Sequence, residues 1–159
     1  MRPCSSIARD ERGVAAVEAA LTLPFLLLLG IALAEFGTAF YQTQLVQTGL
    51  RDAGRYLSRV PDLAAAEDAA RRVAVSGTPV PGETPRVAWW KPEQVQIAYR
   101  TTANPRDAGT GQRPYRAGDE VTVVRVSTAV PYVGLGLLTN FGVSGFQIAA
   151  AHEERYVGH

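Results

Sequence analysis

The chain has 159 residues, a formal net charge of +1 and one cysteine, Cys4. Its nearly neutral charge gives no reason to expect a nucleic acid or an acidic polymer as partner. A single cysteine excludes an intrachain disulfide, and the length leaves room for only one small domain beyond the N-terminal region.

A long apolar segment follows the first residues of the chain. Between residues 14 and 34 the only charged side chain is that of Glu18. A helix of roughly 21 residues matches a hydrocarbon core of about 30 Å. The segment therefore predicts a membrane-spanning helix.

The charges around this segment predict its orientation. Arg2, Arg9 and Arg12 precede it, and the next cation is Arg51. Cations beside a span favour the cytoplasmic side. We expect residues 1–13 to be a cytoplasmic leader, residues 14–36 the transmembrane helix and residues 37–159 an exported domain.

Glu18 is the most informative residue of the span, because a carboxylate near the centre of a bilayer costs about 2.5–3.5 kcal/mol and often marks a function. One interpretation is that Glu18 reaches back to the headgroups. In the other, cleavage after Gly13 creates an amine at Val14, on the same helical face as Glu18. The amine and the carboxylate would then stabilise each other, within one chain or between neighbours. Gly13 and Val14 are the candidate processing residues, and Glu18 the candidate assembly residue.

Pro24 lies inside the same segment. It has no N–H group, so it leaves the carbonyl of Ala20 without its helical partner. We expect a kink or a softened turn at this position.

Several motifs in this region resemble those of a known family. A glycine five positions before a glutamate resembles the class III prepilin-peptidase signal. The chain continues with Leu21-Thr-Leu-Pro24, a leucine run ending in Glu35-Phe36-Gly37, and Arg51-Asp-Ala-Gly54-Arg55-Tyr56. Together these motifs resemble the TadE-like pseudopilins of the tight-adherence (Flp) pilus system.

The resemblance implies a minor pilin-like subunit that acts in assembly or initiation of the pilus and is cut after Gly13 by a prepilin peptidase. Its partners would be other pilus subunits, reached through the N-terminal helix, and the peptidase. It would be held in the bacterial inner membrane with its domain in the periplasm. No nucleic acid or small-molecule substrate is implied.

Two alternatives remain open. Ala19 stands where processed family members usually carry Phe or Tyr, which favours an uncleaved single-pass anchor with an assembly or adhesion role. Ala32-Leu33-Ala34 also fits a signal-peptidase site, which would release a secreted binding domain beginning at Glu35.

Helical periodicity continues beyond the apolar segment. It predicts one long helix from about Gly13 to Ser58, with an apolar face formed by Phe36, Phe40, Val46, Leu50, Ala53 and Leu57. Three glycines in this stretch, Gly37, Gly49 and Gly54, would permit close backbone approach. Asp62 is predicted to cap a second helix that ends near Ser76, and a turn-rich linker follows over residues 77–85.

The period then changes to two, which is typical of strands. Strands are predicted at residues 87–90, 95–101 and 120–130, and from Phe146 to near Arg155, with an exposed loop at 104–118. We expect an α+β, pilin-like fold in which helix covers an antiparallel sheet of three or four strands. The apolar connection 131–145 is either a short helix over the sheet or an exposed patch for a partner or membrane.

No pattern of catalytic residues is present. His152-Glu153-Glu154 lacks the second histidine of the helical zinc motif, and there is no nucleophile elbow or phosphate loop. Asp107, Asp119 and Glu120 are expected to be solvated rather than calcium ligands, and Trp89-Trp90 to pack in the core. We predict that the chain is not an enzyme and that it holds no metal or cofactor.

Overall fold

The computed structural model describes residues 11–116, 118–134, 136, 142 and 145–158, with the backbone alone for 11 and 12. Two helices, α1 (Glu11–Leu57) and α2 (Leu63–Ser76), precede a 3-10 turn, Pro92–Gln94. Three strands follow, β1 (Val95–Ala103), β2 (Glu120–Pro131) and β3 (Gln147–Arg155). This is the predicted α+β arrangement. The predictions for residues 1–10 and for most of the 131–145 connection fall outside the described residues.

The chain divides into two compact units. The first contains Met1–Thr38 and Gly134–Ser144, and the second contains Ala39–Val133 and Gly145–His159. The boundary falls inside α1. The described part of the first unit is mainly the N-terminal portion of α1, and the second unit holds α2 and the sheet.

The sheet is an antiparallel meander in the order β1-β2-β3. Ile97 of β1 lies opposite Val126 of β2, which lies opposite His152 of β3. Alternate residues of β2 are buried, as the period of two predicts: Val124, Val126, Thr128 and Val130. The other face of β2 is exposed or half-buried.

The C-terminal part of α1 contributes to the core of the second unit. Its predicted apolar face is confirmed at four positions, all fully buried: Val46, Leu50, Ala53 and Leu57. Phe36 and Phe40 are exposed, so the face is shorter than predicted. Helical periodicity shows which residues share a face, but burial also requires a second element opposite that face.

Both ends of α2 are capped, and the cap at Asp62 was predicted. The side chain of Asp62 accepts a hydrogen bond from the Ala65 N–H at 3.1 Å. At the other end, Gly77 has a φ of 89° and donates its N–H to the Val73 carbonyl at 2.9 Å. Glycine is favoured here because it adopts a left-handed conformation without a Cβ clash.

The strand predicted at residues 87–90 is wrong. These residues form a turn, in which the Trp90 N–H donates to the Val87 carbonyl at 2.9 Å. The side chains of Val87 and Trp90 are buried all the same. A run of four apolar residues is too short to show a period, and here its hydrophobicity reflects core packing rather than strand pairing.

Candidate functional site: helix α1 and the residues around it

The N-terminal part of α1 exposes apolar side chains on all sides. Leu21 is 75% exposed and Phe25 65%, and the most apolar window of α1 has no buried residue. In the part of the chain that the structure describes, α1 is the one helix long and apolar enough to cross a membrane. The core helix of a soluble protein buries at least one face, so this segment needs lipid or protein around it.

The candidate processing and assembly residues lie in the first turns of α1. Gly13 has open space around it, because a Cβ added to this residue would meet no atom within 4 Å. Val14 and Glu18 are both exposed and lie one turn apart on the same helical face. The hydroxyl of Thr22 donates to the Glu18 carbonyl at 2.6 Å. The helix thus brings Val14 and Glu18 together, while their roles in processing and assembly stay predictions.

Pro24 lies within α1, which is helical on both sides of it. The predicted kink at this residue stays a prediction. Further along, Glu35 is only 5% exposed, unlike the apolar side chains that precede it. Its burial was not predicted, since the residue attracted notice only as part of a family motif.

Two of the three glycines beyond the apolar segment are closely packed. A Cβ on Gly49 would lie 2.1 Å from the Ala74 carbonyl oxygen, and one on Gly54 would lie 3.0 Å from the His152 ring. The prediction of close approach is therefore confirmed at Gly49 and Gly54. At Gly37 a Cβ would meet no described atom within 4 Å, so the prediction is not tested there.

Polar contacts join the C-terminal part of α1, and the residues that follow it, to Arg86 and to the segment after β3. Asp52 pairs with Arg86 at 2.6 Å, and the carbonyl of Ser58 accepts from the Val157 N–H at 3.0 Å. The Tyr156 hydroxyl donates to the Val60 carbonyl at 2.9 Å. The Arg51–Tyr56 motif therefore includes a residue of the ion pair and, in Gly54, a residue of a close contact.

The two tryptophans belong to the core of the second unit. Trp90 is 1% exposed, and its indole N–H donates to Thr128 Oγ1 at 3.4 Å. That hydroxyl donates in turn to the Gln94 carbonyl at 2.9 Å. Trp89 is half-buried and donates to Gln42 Oε1 at 3.2 Å. The core-packing interpretation is confirmed.

The described residues of the loop between β1 and β2 are exposed, as predicted, except for the buried Asn104 and the half-buried Arg113. The Asn104 side chain is 1% exposed and donates to the carbonyls of Tyr115 and Gly118, at 2.9 and 3.1 Å. It closes the loop at its base. The sequence offered no signal for this, because asparagine in a polar loop is ordinarily solvated.

The carboxylates of this loop have partners of their own. Asp107 accepts hydrogen bonds from the backbone and hydroxyl of Thr110 and from the Gly109 N–H, which hold the pKa of its carboxyl below the usual value. Asp119 pairs with Arg113. Within the described ranges, no three His, Cys, Asp or Glu residues are grouped so that they could hold a metal ion.

A hydrogen bond joins β1 to α2. The hydroxyl of Tyr99 donates to Glu67 Oε1 at 2.9 Å. Burial, together with the hydrogen bond to Glu67 and the negative charge of that residue, raises the pKa of Tyr99 to about 12. Glu67 also pairs with Arg71 at 3.0 Å.

A cleft of about 550 Å³ lies between α2 and the segment that follows it. Its charged lining is balanced, with three acidic and three basic side chains: Asp68, Glu83, Glu93, Arg71, Arg72 and Lys91. The formal charges of the lining therefore cancel. In β3, His152 lies 3.1 Å from Glu154, in a strand and without the helical spacing of a zinc motif.

The fold and α1 together define an α+β protein with an exposed apolar N-terminal helix, which is a candidate membrane anchor. Residues 13–55 match the family model described as TadE-like protein, which confirms the resemblance seen in the motifs. The match begins at Gly13 and ends two residues before the end of α1, so it covers this helix alone. It supports involvement in a tight-adherence pilus system. Neither a curated protein nor a solved structure matches the chain.

Proposed function

We propose that the chain is a minor pilin-like subunit that acts in assembly or initiation of a tight-adherence (Flp) pilus. The observation that carries this proposal is the coincidence of the TadE-like match with a helix whose apolar side chains are exposed. The N-terminal part of α1 spans the inner membrane, and residues 37–159 lie in the periplasm. The role is structural rather than enzymatic.

Processing takes place after Gly13, by a prepilin peptidase. Gly13 lies in the first turn of α1, where backbone N–H groups have no intrahelical partner. Glycine also lowers helix stability by about 1 kcal/mol relative to alanine. The first turn can therefore open at small cost and present the Gly13–Val14 bond to the peptidase.

Glu18 acts in assembly once this bond is cut. The new α-amine at Val14 is one helical turn from the Glu18 carboxylate. An anion near the N-terminus of a helix is also stabilised by the helix dipole. The carboxylate pairs with this amine, or with that of a neighbouring subunit, where neither charge is well solvated.

The intact mass of the protein recovered from host membranes tests the processing step. We expect a chain that begins at Val14. A chain that begins at Met1 would show a permanent anchor, and the fibre-subunit proposal would fail. A soluble chain that begins at Glu35 would show a secreted domain instead.

Replacement of the carboxylate tests the assembly step. We expect Glu18→Ala to leave membrane insertion intact and to abolish pili counted by electron microscopy. The matched control is Glu83→Ala, which removes an exposed carboxylate of the second unit and should leave the pilus count unchanged. Normal pili in the Glu18→Ala strain would refute the role assigned to Glu18.

A further inference from the structure

The sheet of the second unit has two open edges. β1 and β3 are nine residues long, and each pairs with β2 on one side only. No described residue hydrogen-bonds to the outer backbone edge of either strand. Every second residue of an edge strand directs its N–H and C=O groups away from its partner, so each edge offers a row of unpaired donors and acceptors.

Neither edge is bulged or interrupted, although both carry charged residues, which are Arg100 in β1 and Glu153, Glu154 and Arg155 in β3. Both strands keep an uninterrupted register with β2, without a bulge, and neither contains proline. Edge strands of soluble monomers are commonly short, bulged or interrupted. Long, regular and exposed edges are instead suited to strand addition.

We propose that β1 of one copy pairs in parallel with β3 of a second copy of this chain. Both strands run antiparallel to β2, so they run parallel to each other. A second copy in the same orientation can therefore place its β3 beside β1. Pairing β1 with β1, or β3 with β3, requires a half-turn that reverses the direction of the helix packed on the sheet.

The choice between these two arrangements rests on the proposed function. In the proposed function every copy enters the membrane through the N-terminal end of this helix, which head-to-tail pairing keeps on one side and the half-turn does not. The twist of about 20–25° between adjacent strands adds up to about 60–75° from one copy to the next, over three strand-to-strand steps. We therefore expect the pairing to join few copies, and a dimer is the species to measure.

The side chains select one register for this pairing. With residues 95–102 beside 148–155, Arg100 lies next to Glu153 of the second copy and Ala98 next to Ala151. On the helix side of the sheet, Val95 then lies next to Ile148. Opposite charges, small residues and apolar residues are matched, and such cross-strand pairs stabilise a sheet.

Other registers lose these matches. A shift of two residues in one direction places Arg100 beside Arg155, which repel each other. A shift of two in the other direction leaves Arg100 beside Ala151, without a charge partner. A shift of one residue would turn the helix-side residues of one strand to the opposite face.

Glu153 can form one ion pair within its own chain and a second one with the neighbouring copy. Within one chain it accepts from Arg125 at 3.0 Å, across the β2–β3 pair. Its carboxylate has a second oxygen, which is available to Arg100 of the neighbour. Arg125, Glu153 and Arg100 of the neighbour would then form a row of alternating charges across the outer face.

Cysteine cross-linking of the full chain in detergent tests the proposal, on a Cys4→Ser background. Ala98→Cys and Ala151→Cys both replace exposed alanines, and directly opposed strand residues fall within the distance range of a disulfide. We expect mild oxidation of a mixture to give a disulfide-linked dimer, and each variant alone to stay monomeric. Ala129→Cys is the matched control, an exposed alanine on the central strand β2 that should not link to Ala151→Cys.

Two outcomes would overturn the proposal. Absence of the mixed dimer would exclude this edge pairing. A dimer of Ala98→Cys alone would show antiparallel pairing of β1 with itself. Both measurements use purified protein, so a mixed dimer would support the pairing even if the mass of the native chain showed no cleavage after Gly13.

Charge reversal gives a second test of the register. In the cross-linking mixture, Arg100→Glu or Glu153→Arg alone should lower the yield of dimer several-fold. The two reversals combined in each chain should restore it, because the attraction is re-established with opposite signs. Circular dichroism of each variant controls for folding, and a combined variant that stays as weak as the single ones would refute the register.

Discussion

Gly49 determines how closely α1 can approach α2. Its missing Cβ leaves room for the Ala74 carbonyl oxygen and for the edge of the Trp90 ring, which a Cβ would meet at 2.1 and 2.9 Å. The oxygen belongs to the backbone of α2, so it cannot move aside without moving that helix. Gly37, in the same helix, faces open space.

We predict that Gly49→Ala lowers the free energy of unfolding by up to about 2 kcal/mol, which is the usual overpacking cost of about 1–3 kcal/mol less the gain in helix propensity. Alanine gains about 1 kcal/mol in helix propensity, which the clash outweighs. The measurement is urea unfolding of the full chain in detergent, followed by tryptophan fluorescence. Gly37→Ala is the matched control and should be neutral or slightly stabilising. Equal stability of the two variants would contradict the close approach at Gly49.

Tyr99 makes the free energy of unfolding of the domain vary with pH in the alkaline range. In the unfolded chain a tyrosine loses its proton near pH 10, whereas the pKa of Tyr99 in the folded protein is about 12. Between these values the unfolded chain binds fewer protons than the folded one, so stability falls as pH rises. The stabilisation that comes from the raised pKa of Tyr99 is fully present below about pH 10 and is lost as the pH rises through about 12.

We predict that, between pH 10 and 11.5, the free energy of unfolding falls less steeply with pH in Tyr99→Phe than in the unmodified chain. Unfolding curves measured across this range give the comparison, because the other ionisable groups are common to both proteins. Difference absorbance at 295 nm should also show that the variant lacks a phenol titrating near pH 12. The same slope in both proteins would contradict the raised pKa.

Among the elements, α2 shows how local capping sets the limits of a helix. Asp62 accepts from an N–H of the first turn, and Gly77 ends the helix in a left-handed conformation. The cap at Asp62 was identified from the sequence, because capping depends on a few neighbouring residues, whereas residue 77 was predicted only as the start of the linker. The resulting helix provides the carbonyl of Ala74 that lies against Gly49.

We predict that Asp62→Ala destabilises the domain by about 0.5–2 kcal/mol, since it leaves a donor of the first turn without its partner. Asp62→Asn keeps an acceptor at the same position and should retain most of the stability. Thermal unfolding monitored by circular dichroism distinguishes the two. If both variants melt at the temperature of the unmodified protein, the cap has no measurable role.

The strands show both the success and the limit of pattern reading. β1, β2 and β3 were located because each has enough residues to show the period of two. Residues 87–90 were assigned wrongly, because a short run of apolar residues occurs both in strands and in buried turns. The position of Trp90 next to Thr128 settles the matter, and this contact joins residues 38 positions apart.

For the molecule as a whole, the family match and the open sheet edges lie in different parts of the chain. The TadE-like match covers α1, whereas α2, the loop closed by Asn104 and the sheet lie beyond it. On the proposed function, the helix provides what the chain shares with other TadE-like proteins. The open edges of the sheet would then determine which other domain the second unit pairs with.

The sequence by itself determined the long apolar helix, the candidate residues Gly13, Val14 and Glu18, and the α+β order of elements. Hydropathy, charge and period are local properties that a chain displays before it folds. Only the tertiary structure decided that Gly49 is packed and Gly37 is not, that Asn104 is buried, and that β1 and β3 keep free edges. Each of these depends on a contact, or the lack of one among the described residues, between segments far apart in the chain.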